Sequence, residues 1–142
     1  MRLLGLDVGE RRIGVAISDP LGISAQGLTV IERRGGEKDI EVLKVLVKER
    51  EVKGFVVGLP LNADGKRGPQ AQRVEAFIEG VKQRVGIPVH WVDERFTTAQ
   101  SERVLLEGDV SRKRRKEVID QLAAQLILQQ YLELNRDEKN ET

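Results

Sequence analysis

The stretch LLGLDVGERRIGVAISD, from Leu3 to Asp19, contains two apolar runs joined by a glycine-marked turn. Leu, Ile and Val dominate both runs, which predicts two β-strands, Arg2–Val8 and Arg12–Ser18. Asp7 interrupts the first run just before the turn. A buried carboxylate is costly unless it is paired, hydrogen-bonded or bound to a metal. Asp7 therefore either orders the turn through its side chain or holds a cation.

The rest of the chain alternates strand-like and helix-like segments. Three successive strands in a meander pair antiparallel, whereas strand–helix–strand crossovers pair parallel. The order therefore predicts an α/β fold with a mixed five-stranded sheet flanked by helices, an order that resembles the ribonuclease H-like fold. Beyond the first two strands, we expect a strand at Gly27–Arg33, a helix at Glu37–Glu51, a strand at Lys53–Gly58, a helix at Pro69–Val85, a strand at Pro88–Val92, a helix at Thr97–Leu106 and a long helix from about Lys113 to Leu134.

Composition is that of a globular protein. The 142 residues are 39% hydrophobic and 33% charged, with a net charge of +1. We expect one domain at residues 1–134 and a polar tail at residues 135–142. The apolar runs are too short to span a bilayer, and Met1 and Arg2 lead straight into strand-like sequence, so we expect neither a membrane segment nor a signal peptide. The absence of cysteine excludes disulfides and thiolate metal sites and suits the cytoplasm.

Three acidic residues fall where strand ends and a helix face can meet. In sheets covered by helices, sites form beyond the carboxyl ends of the strands. If the first and fifth strands run parallel near the sheet centre, Asp7 and Glu94 reach the same edge. Asp120 lies on the last helix, whose sheet-packing neighbours at i+3, i+4 and i+7 would be Ala123, Ala124 and Ile127. Three carboxylates with no cysteine and one histidine predict an oxygen-ligand site for Mg²⁺ or Mn²⁺.

Each acid also has a purely structural interpretation. Glu94 could pair with Arg95 or Arg11 at a strand end. Asp120 could be the i−4 partner of Lys116, a contact worth a few tenths of a kcal/mol. These alternatives stay open residue by residue, but the coincidence of three acids at one predicted edge favours a common site.

Two groups of basic residues are candidates for binding phosphates. The loop GLPLNADGKRGP, residues 58–69, carries Lys66 and Arg67 and leads into a helix N-terminus, which offers free backbone N–H groups to an anion. An ordinary surface loop is the alternative. The second group is an unbroken cationic run that either binds a phosphate backbone or starts a solvated helix. Its members are Arg112, Lys113, Arg114, Arg115 and Lys116.

Four ordered blocks resemble the YqgF family, whose members are described as pre-16S ribosomal RNA nucleases or Holliday-junction-resolvase-like proteins. The match runs from Leu3 to about Leu132. This resemblance implies a ribonuclease H-like fold, a cytoplasmic location and metal-dependent phosphodiester hydrolysis at Asp7, Glu94 and Asp120. The blocks are GLDVGERRIGVAISD (5–19), VVGLPLNADGKRGPQAQRVEAF (56–77), VDERFTTAQSE (92–102) and IDQLAAQLILQQYL (119–132).

From this resemblance we expect in-line hydrolysis with two Mg²⁺ or Mn²⁺ ions, Asp7 bridging them and Glu94 and Asp120 completing their ligands. The expected substrate is the 5′ end of precursor 16S rRNA. The main alternative is a four-way DNA junction, which needs two cuts and hence a homodimer. A non-catalytic nucleic-acid-binding adaptor is a further alternative. The opening stretch also resembles the phosphate loop of actin-like and sugar-kinase-like ATPases, but these generally need a second similar domain, for which 142 residues leave no room.

Overall fold

The computed structural model describes residues 1–94 and 112–140, with side chains at 1–94 and 114–135. The helix expected at Thr97–Leu106 lies outside these residues. The elements are β1 (Leu3–Val8), β2 (Arg12–Ser18), β3 (Ala25–Glu32), α1 (Gly36–Glu49), β4 (Gly54–Leu59), α2 (Pro69–Val85), β5 (Val89–Asp93) and α3 (Arg112–Asn140).

All five strands and the other three predicted helices are confirmed, with boundaries that shift by at most two residues. The exception is the end of α3, which we expected near Leu134 and which continues to Asn140. Polarity alone does not end a helix. The added turn NRDEKN contains neither Gly nor Pro and includes the good helix formers Arg, Glu and Lys.

The five strands form one mixed sheet in the order β3-β2-β1-β4-β5. β1 pairs antiparallel with β2 and parallel with β4, and β4 pairs parallel with β5. The carboxyl ends of β1, β4 and β5 therefore lie at one edge, which we call the carboxyl edge. We expected β5 near the sheet centre, but it is an edge strand, because β4 lies between it and β1. Its direction, which decides where Glu94 emerges, is as expected.

Each face of the sheet carries its own hydrophobic core. Alternation sends Leu4, Leu6 and Val8 of β1 to the face covered by α1 and α2, where they pack with buried residues of both helices. Leu3 points to the other face, where α3 contributes Ala124, Ile127, Leu128 and Leu132. Asp7, like Leu3, has the parity of the α3 face.

Helix α3 lies very close to the sheet because it crosses glycines. Four neighbouring strands each present one glycine to it: Gly27 of β3, Gly14 of β2, Gly5 of β1 and Gly58 of β4. A Cβ on Gly5 would stand 2.9 Å from the carbonyl oxygen of Ala124, and one on Gly14 would overlap the carbonyl group of Asp120. An isolated glycine inside a strand often marks such a close approach of another backbone.

The direction of α3 follows from these contacts. Asp120 lies over Gly14 near the carboxyl edge, Leu128 lies over Gly5 at mid-sheet, and Leu132 packs with Leu3 at the opposite edge. The first turns of α3 therefore extend outward from the carboxyl edge. At 1.5 Å per residue, Arg112 is about 12 Å along the helix axis from Asp120. Within the described ranges, no helix is long and apolar enough to cross a membrane.

Candidate active site at the carboxyl edge

Asp7 lies within β1, directly opposite Gly14 of β2 in the antiparallel ladder. The tight turn that follows is closed by a backbone hydrogen bond from the N–H of Gly9 to the carbonyl oxygen of Arg12, at 2.9 Å. Asp7 is half-buried on the face covered by α3. Its position in the ladder puts the carboxylate on the sheet surface beside the line where α3 crosses.

Glu94 reaches the same face from the edge strand. It follows β5 directly, and its side chain lies over Gly58 of β4. A Cβ on Gly58 would be 2.9 Å from Cγ of Glu94 and 2.6 Å from Cδ1 of Ile127. The parallel register pairs Leu6 with Val57, so the next residues along, Asp7 and Gly58, are neighbours on adjacent strands. A glycine at position 58 thus gives the Glu94 side chain room to lie on the sheet near Asp7.

Asp120 comes from above, on α3. Its backbone rests on Gly14, the ladder partner of Asp7. Its carboxylate Oδ2 accepts a hydrogen bond from Nε of Arg12 at 2.6 Å, and the two side chains are only 18% and 24% exposed. The structural alternative for Asp120 names Lys116 as its partner, whereas the ion pair in the structure is with Arg12. Arg12 was not singled out from the sequence, although a charge opening an apolar strand is the same kind of signal as Asp7.

The three acids share a sheet face and a strand edge, but their side chains do not form a ready-made metal cluster. Among residues 1–94 and 112–140, no group of three or more His, Cys, Asp or Glu side chains is arranged to hold an ion. One oxygen of the Asp120 carboxylate, Oδ2, is instead bound by the guanidinium of Arg12.

The cationic run forms the first turns of α3, upstream of Asp120 on the same helix. Arg114 and Lys116 are exposed and Arg115 is half-buried. Because the first turns of α3 extend outward from the carboxyl edge, the exposed cations here lie beyond this edge, on the helix that carries Asp120.

Lys66 and Arg67 approach the carboxyl edge from the other face. Their loop leaves the end of β4 and leads to α2, which starts at Pro69. The N-cap residue of α2 is Gly68, so no cap side chain accepts hydrogen bonds from the first N–H groups of the helix. The loop is ordered internally: the N–H of Lys66 donates to Oδ1 of Asp64 at 3.0 Å. Arg67 is largely exposed but already pairs with Glu75 at 2.9 Å. Basic side chains therefore flank the edge on both faces.

The fold is similar to that of known resolvases. It matches Thermus thermophilus RuvC, solved in complex with a Holliday junction substrate, with a TM-score of 0.57 and 12% identity over 89% of this chain and 91% of that one. It matches the fowlpox virus Holliday junction resolvase with a TM-score of 0.53 and 15% identity, over 94% and 99% of the two chains. These similarities confirm the ribonuclease H-like fold.

Sequence relatives are much closer. A protein of Moorella thermoacetica named "Putative pre-16S rRNA nuclease" is 56% identical over 133 residues, which cover 94% of this chain and 95% of that protein. The Clostridioides difficile protein of the same name is 54% identical over 132 residues, 93% and 94% of the two chains. With the fold, these matches define a ribonuclease H-like nuclease, a hydrolase of phosphodiester bonds. The model of the RuvX family, described as Holliday junction resolvase, matches residues 1–134, and the chain belongs to that family.

Proposed function

We propose that this nuclease cleaves RNA at the 5′ end of precursor 16S rRNA, in the cytoplasm, with Asp7, Glu94 and Asp120 as its catalytic acids. The observation that carries the proposal is the convergence described above. Three elements far apart in sequence, β1, the end of β5 and α3, bring one carboxylate each to the same face of the same sheet edge. A purely structural protein has no need to gather three like charges there.

Only oxygen ligands are available from these three side chains, which favours Mg²⁺ or Mn²⁺ over Zn²⁺. Oδ2 of Asp120 pairs with Arg12, so a cation that takes this oxygen must displace the guanidinium. Two such ions, when bound, would activate the attacking water and stabilise the leaving oxygen. The chain supplies the ligands: Asp7 provides a carboxylate from the central strand β1, Glu94 provides one from the end of β5, and Asp120 provides one from α3.

Substrate binding is assigned to the cations on both sides of the carboxyl edge. The run opening α3 would hold the strand on the α3 face, and Lys66 and Arg67 would hold it on the α2 face. Such contacts fix the position of a phosphate backbone without reading its bases. Recognition of a particular RNA must then depend on the shape of its unpaired segments. The members of the α3 run are Arg112, Lys113, Arg114, Arg115 and Lys116.

A four-way DNA junction is the second candidate substrate. It is favoured by the description of the family model as a Holliday junction resolvase. Two symmetric cuts would require a homodimer. The Moorella thermoacetica and Clostridioides difficile proteins, each more than 50% identical to this chain, carry the rRNA name, and for this reason RNA is placed first.

The decisive experiment offers both substrates to one preparation. A labelled 16S-leader RNA and a labelled four-way junction are incubated with Mn²⁺ or Mg²⁺, with Asp7→Asn as the matched inactive control. We expect metal-dependent cleavage of the RNA by the wild type alone. Cleavage of the junction alone, by a dimer, would transfer the assignment to the resolvase. Binding of nucleic acid without cleavage of either would indicate the adaptor.

A further inference from the structure

Arg12 lies at the carboxyl edge and has no task in the proposed mechanism. It opens β2 on the α3 face, two residues before Gly14, and lies opposite Glu32 of β3 in the ladder. Its Nε donates to Oδ2 of Asp120 at 2.6 Å, and three-quarters or more of each side chain is buried. A charge-assisted bond in such surroundings is shorter and stronger than a neutral one.

The backbone of Asp120 cannot follow its side chain. The carbonyl group of Asp120 lies so close to Gly14 that no Cβ would fit between them, and Ala124 and Leu128 pack against Gly5 one and two turns further on. A closely packed helix of this kind does not slide. A change of partner by the Asp120 carboxylate therefore requires a rotation of its side chain rather than a shift of the helix.

We propose that Arg12 is a positioning residue: an internal counter-ion that competes with a divalent cation for the carboxylate of Asp120. The inference rests on the proposed function, since it takes Asp120 as a cation ligand. The guanidinium holds Oδ2 of Asp120 and offsets its charge on the sheet face that carries two other acids. A divalent cation that binds Oδ2 of Asp120 must break this pair, so Arg12 weakens cation binding.

The first test measures metal affinity rather than cleavage. Mn²⁺ is titrated calorimetrically into wild type, Arg12→Gln and Arg12→Lys. Breaking a hydrogen bond to a charged group usually costs enough to change an equilibrium about tenfold or more. We therefore expect Arg12→Gln to bind Mn²⁺ about tenfold more tightly than wild type, and Arg12→Lys, which keeps the charge, to stay close to wild type. An Arg12→Gln protein that melts cooperatively and binds Mn²⁺ no more tightly than wild type would overturn the proposal.

The matched control is Arg84→Gln. Arg84 of α2 pairs with Glu37 at 2.7 Å on the other face of the sheet, so the same substitution removes an ion pair without touching the site. Its Mn²⁺ affinity should equal that of wild type. Asp7→Asn separates the two levels of inference: if it binds Mn²⁺ as wild type does, the proposed metal site fails. If it loses binding while Arg12→Gln gains nothing, only the role of Arg12 fails.

A second measurement uses only the wild type and therefore does not depend on whether a variant folds. The ¹⁵N–¹H resonance of Arg12 Nε is followed while Mg²⁺ is added to the wild type. Once the amide of Asp7 has stopped shifting, the Arg12 signal should have moved toward that of a solvated arginine. Arg33 Nε, bound to Asp39 at 3.1 Å on the α1 face, is the internal reference and should not move. An Arg12 resonance unchanged at saturation would overturn the proposal.

Discussion

At the scale of single residues, each of the three acids is positioned by different structural surroundings. Asp7 is fixed by the ladder of a central strand, Glu94 lies in the space left by Gly58, and Asp120 rests on Gly14 and pairs with Arg12. Their environments are therefore unequal, although all three are proposed ligands of one metal site. Neutralising each acid should have the same effect on cleavage and different effects on the metal-free fold.

Asp7→Asn, Glu94→Gln and Asp120→Asn should each reduce cleavage by at least about a hundredfold. Metal ions contribute several kcal/mol to such reactions, and each 1.4 kcal/mol is a factor of ten. Asp120→Asn should also lower the metal-free melting temperature, because it removes a charge-assisted bond worth about 1.5–3 kcal/mol. Nuclease assays and thermal melts on the same preparations measure both effects. Substantial cleavage by any one variant would remove that residue from the site.

Gly58→Ala tests the room that Glu94 needs. The added methyl would meet Glu94 Cγ at 2.9 Å and Ile127 Cδ1 at 2.6 Å, both on side chains that can shift. We expect a stability loss of about 1–3 kcal/mol and a disproportionate loss of cleavage per folded molecule. Gly54→Ala is the matched control in the same strand: its methyl would meet Leu3 Cδ2 at 3.0 Å, at the end far from the site. Equal specific activities for the two folded variants would contradict this function of Gly58.

At the scale of elements, the close approach of α3 to the sheet is what places Asp120. Gly14→Ala should destabilise the protein by about 3 kcal/mol or more, because its methyl would meet backbone and neither the strand nor the helix can yield locally. Gly36→Ala at the start of α1 is the control: nothing lies within 4 Å of the added methyl, and stability should stay unchanged or rise by up to about 1 kcal/mol. Urea unfolding measures both. Equal stabilities would show that α3 can withdraw from the sheet.

The elements themselves were largely predictable from the sequence, because alternation and helical periodicity report which face of each element is buried. The small residues Ala123 and Ala124 correctly predicted the face of α3 that meets the sheet, and both are fully buried. The partner of Asp120 was not predictable. It lies 108 positions away in Arg12, and local spacing suggested Lys116 instead. Each glycine under α3 can be read from the sequence, but their alignment across four strands follows only from the strand order of the sheet.

At the scale of the whole molecule, the distribution of charge matters more than the net charge. The chain carries only +1 overall, yet the start of α3 places exposed Arg114 and Lys116 outward from the carboxyl edge. A total charge near zero gives no general attraction for nucleic acid, so binding must come from such local clusters. The salt dependence of affinity counts the phosphate contacts that these clusters make.

Arg114→Gln with Lys116→Gln, in an Asp7→Asn background that prevents cleavage, should lower the slope of log affinity against log salt. The expected change is about 0.7 per lost contact for single strands and about 0.9 for duplex. It should be similar across sequences, because phosphate contacts do not read bases. Lys48→Gln with Lys53→Gln is the matched control, since both side chains are exposed and lie at the opposite edge of the sheet. A slope that changes equally in both pairs would mean general electrostatic attraction. An unchanged slope in both would move the assignment to Lys66 and Arg67, whose loop reaches the edge from the α2 face.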